Sequence, residues 1–372
     1  MFIKDLTLHN FRNYTHQEVS FGNELNLFVG ENAQGKTNAL EAIYLLAMGK
    51  SHRTQKDAEL MMWQQQHTLV RAAVQTQQRE IKLQIDLSQS GKRAQVNGVN
   101  QTKMTDFVGH FQVVLFAPED LQLVKGGPSL RRRFMDMELG QTKPRYLYHL
   151  GQYMRSLQQR NSLLKQDAPD WAYVEVFEEQ LVEHGVYILS QRLRFVEQIE
   201  ELAKGLHDSI SNGGERFSLD YSPSVPSLNF RDFSPQSAQP EEFAEALRSA
   251  LKQKRNTDRR LGYTTTGPHR DDLVFFLDGQ PVHSFASQGQ QRTIALSLRL
   301  AEIDFIHREI GEYPVLLLDD VLSELDDTRQ KNLILSMSER VQTILTTTSL
   351  FQLNDKLDKA TRLFYVRSGI IQ

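Results

Sequence analysis

The run Gly30-Glu31-Asn32-Ala33-Gln34-Gly35-Lys36-Thr37 fits the spacing G-x-x-x-x-G-K-[ST]. Glycines at both ends let such a loop curl until its backbone N–H groups converge, which suits the phosphates of a nucleotide. Lys36 would reach the β- and γ-phosphates of ATP, and the Thr37 hydroxyl would ligate Mg²⁺. A second run, Val315-Leu316-Leu317-Leu318-Asp319-Asp320, is apolar until it ends in two acids. There Asp319 would hold the metal ion and Asp320 would orient or deprotonate the attacking water; taken alone, the run is equally a strand with a polar end. A third, Ser287-Gln288-Gly289-Gln290-Gln291, stands before a helical pattern. It reads either as a helix cap or as a second anion site. One compact site has no use for two γ-phosphate cradles, so as an anion site Ser287, Gly289 and Gln290 would serve the nucleotide of a second copy, head to tail. ATP would then hold a homodimer together and hydrolysis would release it.

These groups need rigid elements behind them. Leu25–Val29 is an apolar strand stopping at Gly30, and Thr37–Ala47 carries Leu40, Ile43, Tyr44 and Ala47 at helical spacing before Gly49. Ile3, Leu6 and Leu8 mark an earlier strand. Between residues 67 and 116 the period changes to two (TLVRAAVQT, REIKLQIDL, QVVLF), with a hairpin signal at Asn97-Gly98, so the pattern predicts a mostly antiparallel patch. Leu273–Leu277, Val315–Leu318 and Val341–Thr346 predict further strands and Gln291–Arg308 a helix; strands apolar on both faces belong to covered parallel sheets. In the middle, Leu147, Leu150, Met154, Leu157, Asn161 and Leu164 form a short heptad stripe, followed after Asp167–Asp170 by a second one from Val174 to Leu202. Two such helices, each about 35 to 50 Å long, make a stubby antiparallel hairpin. The fold class expected is therefore α/β: a head of residues 1–125 with 262–372, holding a parallel core sheet plus an antiparallel β patch, and an inserted, mostly helical arm, 126–261, with a Pro/Ser-rich segment at 211–240.

A chain of 372 residues, 40% hydrophobic and 24% charged, is sized for two or three domains or one domain with a large insertion. It lacks a run apolar enough for a membrane span and a secretory leader pattern, so a cytoplasmic protein with no membrane partner is expected. Without cysteine, disulfides, thiol nucleophiles and Fe–S clusters are excluded. The 11 histidines show no metal-ligand spacing, which leaves Mg²⁺ with the nucleotide as the expected metal. With a net charge of −3, any nucleic-acid contact must come from a local patch. Two candidates stand out, the segment around Arg131, Arg132 and Arg133 and the cluster Lys252, Lys254, Arg255, Arg259 and Arg260. Such clusters suit phosphate backbones without base reading, or equally a solvated helix face.

The four-part order, completed by Ser323-Glu324-Leu325-Asp326, resembles the ABC-type ATPases and within them the heads of SMC and Rad50 proteins. The likeness is closer still to the RecF family. Asn10-Phe11-Arg12-Asn13-Tyr14, Gly49-Lys50-Ser51-His52-Arg53-Thr54, Ala117-Pro118-Glu119-Asp120-Leu121, Arg131-Arg132-Arg133-Phe134, Gly267-Pro268-His269-Arg270-Asp271-Asp272 and Leu318 to Asp326 are similar to RecF segments and stand in RecF order. The resemblance implies an ATP-dependent dimer that binds single-stranded, gapped or junction DNA and works with RecR and RecO to load recombinase, in replication restart and the SOS response. The roles of His52, Arg53, His269 and Arg270 stay open between nucleotide, DNA and packing. Against the wider ATPase pattern, Ala117-Pro118-Glu119 replaces a glutamine, Thr346-Thr347-Thr348 replaces a switch histidine, and Asp320 is one methylene shorter than the usual glutamate. A slow, DNA-stimulated ATPase acting as a switch is expected. The rival readings are a transporter ATPase subunit, against which the basic tracts and the arm stand, and an SMC-like structural head, whose long coiled coil is absent.

Overall fold

Four short runs, each built on two to four apolar residues, set buried strands in this chain. A computed structural model describes residues 1–211, 213–225, 228, 240–321, 340–348 and 361–372. Ser323-Glu324-Leu325-Asp326 and much of the Pro/Ser-rich segment lie outside the described residues. The chain packs as two units, Met1–Asp120 with Glu302–Gln372, and Leu121–Ala301.

The first unit begins with β1 (Phe2–Phe11), β2 (Tyr14–Ser20), β3 (Leu25–Val29) and α1 (Lys36–Met48). Next come β4 (His67–Gln75), β5 (Glu80–Ser88), β6 (Gly91–Val96), β7 (Val99–Asn100), α2 (Met104–Phe107) and β8 (Val113–Phe116). The second unit carries α3 (Leu121–Lys125), α4 (Pro128–Thr142), α5 (Pro144–Leu164), α6 (Trp171–Ser211), β9 (Phe217–Ser222), α7 (Pro240–Leu261), β10 (Asp272–Leu277), β11 (Gln280–Pro281) and α8 (Val282–Phe285). The division falls inside α9 (Gln288–Ile310), after which β12 (Val315–Asp319), β13 (Thr343–Thr347), β14 (Arg362–Arg367) and β15 (Ile370–Ile371) return to the first unit.

There the expected two sheets are present. One has the order β15-β14-β3-β13-β12-β8, parallel from β14 to β8. Every residue of β3, β8, β12 and β13 is buried, as strands covered on both faces must be. The other, β2-β1-β4-β5-β6-β7, is antiparallel, and its β6–β7 turn puts Asn97 and Gly98 at φ 52° and 79°, the left-handed pair an Asn-Gly hairpin adopts. The pattern grouped Val113–Phe116 with this patch; the strand instead pairs in parallel with β12, from Val113↔Val315 to Phe116↔Leu318. Its run of four buried apolar residues has no alternation, which is the mark of the covered sheet.

The second unit corrects the expected boundaries. Residues 262–301, expected in the head, belong here. The reason is pairing: β10 forms a six-residue antiparallel ladder with β9, from Asp272↔Ser222 to Leu277↔Phe217. The helical hairpin is present, with α5 and α6 antiparallel, as the bonds from Lys143 to Gln191 (3.2 Å) and from Arg160 to Glu178 (2.9 Å) require. Its seam differs from the apolar stripe. Met154 is exposed, while Tyr146, Tyr153 and Arg160, also seven apart, are fully buried. Polar partners make this affordable. Tyr146 donates to Asp136, and Arg160 bonds Asp258 (2.8 Å) and Thr264 (2.7 Å) besides Glu178. Removing one member of a buried ion network strands the others without solvent. Arg160→Ala is therefore expected to cost about 3–5 kcal/mol of stability by urea unfolding; a loss below about 1 kcal/mol would show the network to be dispensable.

Candidate nucleotide site and the Ser287 turn

The loop after β3 is shaped by contacts that leave no room for side chains. A Cβ on Gly30 would stand 2.3 Å from the Val366 carbonyl oxygen, and one on Gly35, at φ 121°, would stand 2.7 Å from Asn13 Nδ2. Ala33 takes the left-handed φ of 65° that completes the curl. Helix α1 then starts at Lys36 with no side-chain cap and no acid in its first turn. Its first N–H groups are left for an anion, with the helix dipole behind them.

Lys36 spans the loop, its Nζ donating to the carbonyls of Gly30 (2.5 Å) and Glu31 (2.8 Å). Burial pushes its pKa down, and the charges of Asp320 and Asp319 pull the other way. The two sequence runs meet at the end of β12, where the Thr37 hydroxyl donates to Asp319 Oδ1 at 2.9 Å. Thr346 donates to the same oxygen at 2.8 Å and accepts the Asp320 N–H at 2.9 Å. Burial raises the Asp319 pKa against these two bonds, and Glu119, following β8 beside β12, raises it further. Two cis ligands of an octahedral Mg²⁺ at about 2.0–2.1 Å would lie about 2.9 Å apart. The Thr37 and Asp319 oxygens fit that group. Asp320 has φ 52°, a left-handed turn that few side chains other than Asn and Asp tolerate.

Further residues form a frame that spacing alone does not reveal. Asn13 Nδ2 and the Gly369 N–H both donate to the Gln34 carbonyl (2.9 and 3.0 Å), and the Ser368 N–H donates to its side chain (2.7 Å). Fully buried Tyr14 donates to the Gly35 carbonyl at 2.9 Å; burial pushes its phenol pKa up, so it stays a donor. Only the Ser-Gly turn signal at 368–369 could have drawn attention to that end. Within α1, Glu41 is buried. Burial alone would raise its pKa, but bonds from Arg12 (2.6 and 2.8 Å) and Ser51, with Arg53 beside it, hold it below the ordinary value. Arg53 also donates to Asn38 (2.8 Å), which donates to Asn13 (2.8 Å), and His52 packs edge-on against Tyr44. The segments 10–14 and 49–54 thus brace the loop and α1.

In the second unit, Ser287 and Gln290 form a capping box: the Gln290 N–H donates to Ser287 Oγ (3.3 Å) and the Ser287 N–H to Gln290 Oε1 (2.7 Å). Ser287 and Gly289 are exposed, and a Cβ on Gly289 would meet nothing nearer than 4.0 Å among the described residues.

The expected DNA track needs correcting. Arg131 is buried in a bidentate pair with Asp272 (2.7 and 2.9 Å), Arg132 donates to the Asp271 carbonyl (2.6 Å), and Arg255 binds Glu178 and Glu175 over the Trp171 ring. Their charges are committed within the fold. Arg133 is half-buried, and Lys252 and Lys254 are exposed. His269 and Arg270 also pack. Burial pushes His269 down to about 4, so neutral imidazole donates from Nε2 to the Thr264 carbonyl (3.1 Å) and accepts from Tyr153 at Nδ1 (2.8 Å). Arg270 bonds that carbonyl too and lies over Tyr263.

A glycine-curled loop on a parallel sheet, a strand-end acid against its threonine and an antiparallel sheet in the same unit define an ABC-type head. The Smc head bound to the C-winged helix domain of ScpA shares this fold, with a TM-score of 0.57 at 16% identity over 100% of this chain and 96% of that one. The family model described as RecF/RecN/SMC N terminal domain matches residues 2–372. The DNA replication and repair protein RecF of Shouchella clausii is 47% identical over 100% of this chain and 99% of its own. A solved structure of the recombination mediator protein RecF with ATP, in the RecFOR pathway, superposes with a TM-score of 0.91 at 34% identity, covering 100% of this chain and 97% of that one. The chain belongs to the RecF family.

Proposed function

We propose that this protein is an ATP-switched, DNA-binding homodimer of recombinational repair, replication restart and SOS induction, which helps load recombinase with RecO and RecR. The observation that carries the ATP reading is the meeting of Thr37 with Asp319 at the mouth of the curled loop. The loop N–H groups and Lys36 bind the β- and γ-phosphates, and Thr37 and Asp319 hold Mg²⁺. That ion, when bound, neutralises phosphate charge as the γ-phosphoryl leaves. Asp320 orients the water and takes its proton. The RecF solved with ATP supports the nucleotide.

For the dimer, Gly289 is the telling residue. Nothing among the described residues forbids a side chain there, whereas close approach by a second copy's γ-phosphate would. Exposed Lys252 and Lys254, with Arg133, remain as phosphate contacts for single-stranded, gapped or junction DNA. Among the described residues no helix is long and apolar enough to cross a membrane, and a cytoplasmic site of action is part of the proposal.

Light scattering with ATP and Mg²⁺, with and without a gapped duplex, tests both parts. The wild type is expected to double in mass with ATP and to add the mass of DNA. Ser287→Arg should stay monomeric, and Lys252→Glu with Lys254→Glu should dimerise while losing most of the DNA. Monomers under every condition would reduce the Ser287 turn to a helix cap; a doubly substituted protein that binds DNA as the wild type does would remove α7 from the track.

A further inference from the structure

We propose that Glu215 is a positioning residue for the Ser287 turn, acting on nucleotide held by a second copy of the chain; this rests on the dimer reading above. In the capping box Ser287 Oγ accepts from the Gln290 N–H. An oxygen so engaged directs its own hydrogen elsewhere, and on an exposed residue that O–H becomes a donor to an incoming phosphate oxygen. The hydroxyl is therefore aimed by the Gln290 backbone N–H, and what holds the turn closed around that bond is the Gln290 side chain.

The Gln290 amide has two distinct ends. Its Oε1 accepts from the Ser287 N–H at 2.7 Å, and its Nε2 donates to Glu215 Oε1 at 3.0 Å. An ionised carboxylate only accepts, so it fixes the flip of the amide: turned over, oxygen would face oxygen at Glu215 and nitrogen would face the Ser287 N–H. Glu215 is itself held. Its Oε2 lies 3.2 Å from Nε2 of His207, a fully buried residue of α6 whose ring packs against Phe217. Burial lowers the His207 pKa although Glu215 opposes it, and Nδ1 is buried with no partner among the described residues. The neutral ring with its proton on Nε2 fits both facts, donating to Glu215. On the other side, the backbone after Glu215 is pinned by reciprocal bonds between Arg216 and Asp278 (3.0 and 2.9 Å). A line of hydrogen bonds thus runs from the long helix through His207, Glu215 and the Gln290 side chain to the Ser287 backbone N–H, and so fixes the turn on which the Ser287 hydroxyl accepts from the Gln290 N–H. The negative charge also stands by the N-terminus of α9, where the helix dipole favours it.

The test uses the full chain, with ATP and Mg²⁺ as the probe. Glu215→Ala is expected to weaken ATP-driven dimerisation at least tenfold, while ATP affinity measured on dilute monomer stays within twofold of wild type, because the turn serves the other copy's nucleotide. Glu215→Gln keeps an acceptor for the Gln290 amide and should lie within threefold of wild type. Should the alanine variant not fold, Glu215→Asp, which keeps the charge and withdraws the oxygen, must show the same loss. Mixing Glu215→Ala with Lys36→Ala should restore dimers, since one of the two shared sites then joins an intact loop to an intact turn; a general packing defect would not be rescued. Wild-type dimerisation by the Glu215→Ala protein, or failure of the mixture, overturns the proposal. If the wild type itself stays monomeric with ATP, it is the dimer reading that has failed, and this inference falls with it.

Discussion

Lys36→Ala is expected to weaken ATP binding by about 30- to 5,000-fold, the equivalent of about 2–5 kcal/mol for removing one partner of a desolvated charge pair. Lys36 is 7% exposed and its ammonium is already bonded to the Gly30 and Glu31 carbonyls, so it spans the loop where the proposed reading places the phosphates. Its pKa is lowered by burial, which means the fold disfavours the charged form until an anion compensates. The sign for binding follows. If ATP is held by charged Lys36, as proposed, affinity should fall on the alkaline side at a lower pH than an ordinary lysine would give. Titration calorimetry across pH on the wild type, with Lys36→Ala as the reference lacking that limb, measures both effects. Removing a disfavoured charge should not destabilise the nucleotide-free protein, so an unchanged or higher melting temperature separates lost binding from lost folding. Affinity within threefold of wild type would mean that the loop does not hold the triphosphate as proposed.

The loop was legible because its sequence signal is local: the apolar run of β3, two glycines and a helix opening at Lys36 lie within a couple of dozen residues. The parallel strands were legible for the same reason. What escaped the sequence is what sheet order and long-range pairing decide. Thr346 looked like the loss of a switch histidine, yet β13 lies beside β12, and its hydroxyl ties Asp319 and the Asp320 backbone together. Arg131 looked like a free cation, but its partner Asp272 is 141 residues away and enters through a β9–β10 ladder whose pairing the alternation within each strand does not specify. The heptad stripe of the arm, with Asn161 at one of its positions, does not reveal the spacing of seven in Tyr146, Tyr153 and Arg160. Their burial depends on acids and carbonyls from distant segments. Asn13, Tyr14 and Ser368-Gly369 had no chemistry of their own to flag; they work by fixing where Gln34 and Gly35 stand.

Asp320→Asn separates holding ATP from spending it. Asparagine is isosteric, tolerates the left-handed φ of 52°, and leaves the backbone bond to Thr346 in place, so the strand end keeps its shape. What it loses is the ability to take a proton from water, a contribution of about 10²- to 10⁴-fold to rate. Turnover measured by phosphate release should therefore fall at least about a hundredfold, with ATP affinity within a few-fold of wild type. The slow step then becomes dimer release, and the ATP-bound dimer should persist on dilution where the wild type decays. Asp319→Asn gives the contrasting pattern. Asp319 is the oxygen shared by Thr37 and Thr346, and an amide in its place carries no charge for Mg²⁺, so Mg²⁺-dependent affinity should fall together with turnover. The two neighbours thus predict different signatures, one in rate alone and one in rate with affinity. Should Asp320→Asn turn over ATP at the wild-type rate while Asp319→Asn does not, proton transfer would have to be reassigned to another group near the loop. Glu119, which already acts on the Asp319 charge from the end of β8, would be the next carboxylate to replace.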